Sequence, residues 1–366
     1  MDSTIKTVIS LIKSALYKEK TVIPEDFNWE SAKKIILSQS ISELVYYGLI
    51  NSGIQVPEWL SYKFYERVYF STSLWQKADD VIAEFDKAGI EYIPLKGVSV
   101  KNRYPEPYMR HMNDVDILIR EKDYKKTIKP IMKNLGFTAG AESDHEYIWH
   151  KDGQTIELHK RIIPSYNKDF YEVIGDGWEW LKKNGEYVYL FVHLAKHYRD
   201  SGIGVVHLID LEVCKNTGDL FALTALHLDK FYDNVKNTLD CWFRDKEFDP
   251  VTTFLTEKFF SGGEYGTTQT QSRSMALKSI NQADGSIKKA RVKNAFRALF
   301  PPYSAMKMRY KILKTLPFLL PVFYIWRLIR APFSGRVKKR IDMNKSIKKD
   351  DYRDELKFVG LDFWFK

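Results

Sequence analysis

Asp114-Val115-Asp116-Ile117-Leu118-Ile119 is the stretch on which the reading of this chain turns. Its apolar residues suit a strand, and side chains along a strand alternate between two faces. Asp114 and Asp116 therefore share one face, while Val115, Ile117 and Ile119 share the other. One face is made to bury and the other to bind.

Downstream, Thr155-Ile156-Glu157-Leu158-His159 repeats the alternation, with Glu157 and His159 on the polar side and Ile156 and Leu158 opposite. A neighbouring strand of this kind would bring Glu157 toward the two aspartates. Three clustered carboxylates repel one another and are costly to desolvate unless cations neutralise them. Hard oxygen ligands favour Mg²⁺, completed by waters and phosphate oxygens.

The flanking sequence builds a small α/β unit around these strands. Ile90 to Leu95 reads as a short strand that Lys96-Gly97 turns into a helix running toward Tyr104. Pro105 and Pro107 suit no helix interior and end it. Asp123 to Leu135 reads as a helix closed by Gly136, and Asp152-Gly153 is a hairpin signal between Tyr147–His150 and Gln154–His159.

The whole chain has 366 residues, long enough for more than one core, and its 44% hydrophobic content suits a globular protein. Two cysteines, Cys214 and Cys241, are too few for a disulfide framework or a cysteine-rich zinc site and point to a reducing compartment. No secretion signal is expected from the first residues, where Ile5, Val8, Ile9, Ile12 and Leu16 recur at helical spacing, as in a helix packed on its own protein. A cytoplasmic location is expected. The net charge of +10 is concentrated near the end, where positions 287–349 hold 18 Lys and Arg against Asp342 alone.

The expected fold class is α+β, a small mixed-sheet core between helical regions. The expected divisions are an N-terminal helical region at 1–86, the α/β core at 87–165, a helical domain at 166–260 and a basic, partly apolar region at 261–366. In the first, Trp29 to Ile50 and Trp59 to Phe85 show helical periodicity. In the third, Tyr187 to Arg199 and Val205 to Val213 are the clearest helices.

Leu95-Lys96-Gly97, Arg110, Asn113 through Ile119, Gly136-Phe137 and Glu157-Leu158-His159 together resemble the polymerase-beta-like nucleotidyltransferase superfamily, in its bacterial branch of uncharacterised nucleotidyltransferases. The resemblance implies a nucleotidyltransferase core in which two Mg²⁺ ions are held by Asp114, Asp116 and Glu157, the catalytic carboxylates. It implies a nucleoside triphosphate gripped near Gly97 and Ser99, with Lys96 and Arg110 neutralising phosphate. His159, on the face of Glu157, is expected to support the ligands by hydrogen bonding. Val98 stands directly after Gly97, where a small or hydroxyl residue is usual, and Ser99 comes one residue late. The implied reaction moves a nucleoside monophosphate to a hydroxyl acceptor and releases pyrophosphate. The acceptor stays open among a small molecule, a glycan precursor, a protein and RNA.

Other constellations point elsewhere. His193 and His197 lie one helical turn apart, but the Glu of a metalloprotease motif is missing, so a buried or substrate-facing pair is expected. Asp210 and Glu212 would diverge on a helix and are read as structural. Ser261-Gly262-Gly263 opens a polar connector without P-loop spacing. Leu316 to Trp326 is apolar, contains Pro317 and Pro321, and is too short to span a bilayer; with Lys311, Lys314, Arg327 and Arg330 around it, it suits either an anionic membrane surface at the inner face or a buried helix pair. Two rival functions remain: a non-catalytic binding or assembly protein of surface-polysaccharide production, and a nucleotide-transferring toxin of a toxin-antitoxin pair.

Overall fold

The computed structural model of this chain describes residues 1–200, 202–214, 220–263, 310–330 and 349–361, with positions 292, 296, 299–303, 306 and 307 between them. The described residues divide into two compact units. The larger lies within Met1–Lys196, Ile203–Tyr265 and Val359–Leu361.

Four helices open the larger unit: α1 (Ser3–Tyr17), α2 (Trp29–Ser38), α3 (Ser42–Ser52) and α4 (Glu58–Lys87). Asp2 caps α1 by accepting from the Thr4 N–H at 2.7 Å. The buried stripe of α1 is Ile5, Val8, Ile9, Ile12 and Leu16, joined by Leu11. At the crossing with α3, a Cβ on Gly48 would stand 2.1 Å from the Leu11 carbonyl oxygen, so only glycine lets the two backbones come this close. The single helical run read over Trp29 to Ile50 is two helices. The break falls at Gln39 and Ser40, whose φ is +55°. Gln39 is buried there because its amide nitrogen donates to the Phe259 and Phe260 carbonyls, both at 2.8 Å, and its oxygen accepts from the Val205 N–H at 3.0 Å.

The centre is a five-stranded mixed sheet in the order β1-β2-β5-β4-β3. Its strands are β1 (Tyr92–Leu95), β2 (Asp114–Ile119), β3 (Thr138–Glu142), β4 (Glu146–Lys151) and β5 (Gln154–His159). β2 and β5 run parallel, and the other neighbours pair antiparallel. β4 and β5 form the hairpin expected around Asp152-Gly153, both in positive φ.

β3 was not legible in the sequence. Thr-Ala-Gly-Ala-Glu has no bulky apolar residue to alternate, and every position of this edge strand is exposed.

One face of the sheet makes the core. Val115, Ile117, Ile119, Trp149, Ile156 and Leu158 pack against Leu74, Ala78, Val81 and Phe85 of α4 and against Tyr124, Ile128 and Met132. Each such side chain contributes about 1.5–3 kcal/mol by leaving water. Tyr124–Ile128 is a π turn leading into a short helix, α6 (Lys129–Asn134), rather than a uniform helix from Asp123. Pro130 has no N–H for the ordinary i→i−4 bond, and the turn before it widens. Between β1 and β2 the chain makes only the one-turn helix α5 (Gly97–Val100) and 3₁₀ turns at Lys101–Arg103 and Pro107–Met109.

The opposite face of the sheet carries the polar residues. Beyond β5 come α7 (Lys168–Ile174), α8 (Trp178–Asp200), α9 (Val206–Cys214), a short turn of helix at Phe221–Ala225, α10 (Asp229–Phe243) and α11 (Pro250–Ser261). α8 is broken at Gly185, whose φ of 84° and ψ of 169° are open to glycine and not to a helix.

In the smaller unit, the apolar segment near Leu316 forms a 3₁₀ turn at Pro317–Leu319 and a helix at Leu320–Arg330. Pro321 falls in the first turn of that helix, where its missing N–H costs nothing. A further helix spans Lys349–Phe358. No helix among the described residues is long and apolar enough to cross a membrane.

Candidate active site

The parallel register of β2 and β5 sets Asp116 opposite Glu157 and Asp114 opposite Thr155. On its other side Asp116 pairs with Leu95 at the end of β1, which brings Lys96 to the carboxylates. Asp116 is only 5% exposed. Its Oδ1 accepts from Lys96 Nζ at 2.9 Å and lies 2.6 Å from His159 Nε2. His159 Nε2 is also 3.6 Å from Glu157 Oε2. One ligand atom from each of Asp116, Glu157 and His159 falls within 4.8 Å of the others, a spread that one divalent cation could close.

These charges reshape one another. Burial alone would push the Asp116 carboxyl up, but the Lys96 ammonium and the His159 ring outweigh it and hold that carboxyl well below the usual range. Asp114, on the same strand face, has the opposite fate. Burial and the neighbouring Asp116 charge, with Glu157 adding, push it up to about 7, against the pull of Lys96 and Arg110. Burial works against the charged forms of Lys96 and His159, yet the Asp116 charge raises both. The face thus sets Asp114, Asp116 and Glu157 against Lys96, with His159 and Arg110 adding positive charge, and the spread of its ligand atoms is one that a divalent cation fits.

The turn after β1 carries strain. Lys96, and not Gly97, takes the positive φ, at +50° with ψ −126°, a conformation costing a non-glycine residue about 1–3 kcal/mol. Gly97 is needed for space: a Cβ there would lie 2.3 Å from the Met112 sulfur. The Ser99 hydroxyl donates to the Lys96 carbonyl at 2.8 Å and so braces the same turn.

Arg110 is bound to Asp210. Its Nε and Nη2 donate to the two carboxylate oxygens of Asp210 at 2.7 and 2.8 Å, its Nη1 donates to the His111 carbonyl, and the Tyr104 hydroxyl donates to Asp210 at 2.7 Å. Asp210 is therefore the anchor that ties the segment before β2 to α9. Glu212, two residues on, takes Arg244 at 2.7 and 3.1 Å and the Tyr17 hydroxyl. Both acids of that pair are structural, as their helical placement predicted. His193 is buried, with its ring 6.1 Å from Tyr189 and 5.6 Å from His207.

Beside the cluster is a cavity of about 370 Å³ lined by Ile93, Pro94, Leu95 and Ser99 from one side and Leu181, Lys182, Glu186 and Tyr189 of α8 from the other. Tyr189 is buried within the fields of Lys96 and Asp116; burial, outweighing Lys96, pushes its hydroxyl well above the usual range. The sequence offered no pointer to the α8 residues, since Leu181 and Tyr189 read there as ordinary core positions of a helix.

A mixed sheet whose polar face gathers Asp, Glu, His and Lys at one strand end defines a candidate group-transfer enzyme. A family model described as uncharacterised nucleotidyltransferase matches residues 25–226, more than half of the chain, and the chain belongs to that family. Its general role is accordingly that of a transferase acting on nucleotides. Neither curated proteins nor solved structures gave a match.

Proposed function

We propose that this protein moves a nucleoside monophosphate from a nucleoside triphosphate to a hydroxyl acceptor. The acceptor oxygen forms a bond to the α-phosphorus, the bond to the β-phosphate oxygen breaks, pyrophosphate leaves and the hydroxyl proton passes to a carboxylate. The observation that carries this reading is the convergence of Asp116, Glu157 and His159 within 4.8 Å, beside Lys96, in a chain of this family.

Asp114, Asp116 and Glu157 would hold two Mg²⁺ ions. When bound, such ions supply positive charge to the attacking and leaving oxygens of an in-line displacement. The chain's own groups do the rest. Lys96 lies against the carboxylates, placed to exchange Asp116 for a phosphate oxygen. The Gly97 and Ser99 turn shapes the phosphate side, and Arg110 adds positive field there while anchored on Asp210. Glu157, the less buried of the opposed pair, takes the acceptor proton. The cavity beside Ser99 and Tyr189 suits a small or narrow acceptor end, because its walls are chiefly apolar with Lys182 and Glu186 for orientation.

Incubating the protein with labelled nucleoside triphosphates, Mg²⁺ and a cell extract tests the reaction. Wild type is expected to label a discrete species that Asp116→Asn leaves unlabelled. Equal labelling by both would end the catalytic assignment.

A second reading concerns place. In the smaller unit, Val322, Ile325, Trp326 and Ile329 lie at spacings of one helix face, Phe318 stands in the 3₁₀ turn before them, and all are exposed. The other side is anchored, with the Tyr324 hydroxyl donating to the Pro301 carbonyl at 2.6 Å and the Phe323 ring 4.4 Å from Tyr310. An outward apolar face within a strongly basic stretch supports docking on an anionic membrane at its cytoplasmic side. Flotation with phosphatidylserine vesicles should recover wild type but not Val322→Asp with Ile325→Asp; equal recovery would remove this reading.

A further inference from the structure

We propose that His159 is a metal ligand: its Nε2, with Asp116 and Glu157, forms a mixed nitrogen and oxygen site that takes a divalent transition ion, Mn²⁺ in preference to Mg²⁺. The inference deepens the proposed reaction in that it concerns the same strand face. It differs from the support role that the sequence gave to His159.

Three observations carry it. First, the ligand atoms that converge are those of Asp116, Glu157 and His159, so the group includes the histidine and leaves out Asp114. Second, the register fixes the ring in place: Leu118 pairs with His159 on adjacent parallel strands, the residue is 5% exposed, and Nε2 faces Asp116 at 2.6 Å and Glu157 at 3.6 Å. Third, Nδ1 is buried and has no hydrogen-bond partner among the described residues, so Nε2 is the nitrogen that the ring directs at the carboxylates.

The chemistry of the donors then sets the ion. Mg²⁺ prefers an all-oxygen octahedron and keeps several waters, whereas an imidazole nitrogen suits first-row transition ions. Within an otherwise oxygen site, one nitrogen shifts preference toward Mn²⁺. His145 makes the natural control. Its ring centroid is 5.9 Å from that of His159, but its nitrogens are engaged by Ser143 at 3.2 Å and Glu146 at 2.9 Å.

The test is pulsed electron paramagnetic resonance on the full-length protein loaded with Mn²⁺. Wild type and His145→Gln are expected to show nitrogen hyperfine coupling from a directly bonded histidine. His159→Gln should lose the coupling and bind Mn²⁺ at least about 10-fold more weakly, with Mg²⁺ affinity changed by no more than about 3-fold. Wild-type protein carrying isotopically labelled histidine reads the same bond with no substitution. Absence of Mn²⁺ binding, a bound ion without histidine coupling, or coupling retained in His159→Gln would each overturn the proposal. Coupling present without nucleotide transfer would sink the reaction and keep the site. Transfer lost in Asp116→Asn, with no nitrogen coupling in wild type, would do the reverse.

Discussion

Replacing Asp210 with Asn separates what Arg110 does for the fold from the phosphate role proposed for it. The Arg110 and Asp210 side chains are 8% and 1% exposed and share two hydrogen bonds of 2.7 and 2.8 Å. Removing the negative partner takes the two-oxygen carboxylate from a buried guanidinium, and breaking a buried pair in this way costs about 3–5 kcal/mol. Tyr104 can still donate to the amide oxygen, so the loss belongs to the charge pair. At roughly 2–4 °C per kcal/mol for a unit of this size, Asp210→Asn should lower the melting temperature by at least about 6 °C. Circular dichroism melts and urea titrations followed by tryptophan fluorescence give the measurement. The double variant Arg110→Met with Asp210→Leu should lose less than the two single losses added together, by at least about 1 kcal/mol. A melting temperature for Asp210→Asn within about 1 °C of wild type would show that the pair does not hold this segment. Arg110 would then be free to leave Asp210, and its phosphate role would gain.

Two further outcomes follow from the site. Asp114 moves from an ordinary 3.8 to about 7 in the folded chain, so between those values the folded state holds the extra proton and stability falls as pH rises. Asp114→Asn should therefore stabilise the protein at pH 8, by up to about 4 kcal/mol, and hardly at all near pH 4; a gain that does not change with pH would contradict this, and added divalent cation should narrow the gap at pH 8. Lys96 has φ +50°, so Lys96→Gly should be more stable than Lys96→Ala by about 1 kcal/mol although neither carries the ammonium, as read by urea midpoints; equal midpoints would show that the turn is unstrained.

The legible parts of this fold share a physical cause, which is local periodicity. Alternation alone placed β2 and β5 with Asp114, Asp116, Glu157 and His159 on one polar side, and Asp152-Gly153 marked the β4 to β5 hairpin. The buried stripe of α1 followed from helical spacing in the same way. β3 escaped because an exposed edge strand needs no apolar alternation. The break between α2 and α3 escaped because Gln39 is held by Phe259, Phe260 and Val205, more than 160 residues away in sequence.

The site divides along the same line. Which residues face the same way on each strand follows from their order in the chain, because the pleat has a period of two. The sequence also carried the resemblance to a nucleotidyltransferase core. How those faces combine depends on long-range pairing. The parallel register of β2 with β5 put His159 against Asp116, the β1 to β2 pairing delivered Lys96 to the same oxygen, and packing against α9 bound Arg110 to Asp210. Strand pairing and helix packing join residues tens to a hundred positions apart, and no local pattern records which partner a buried charge will find.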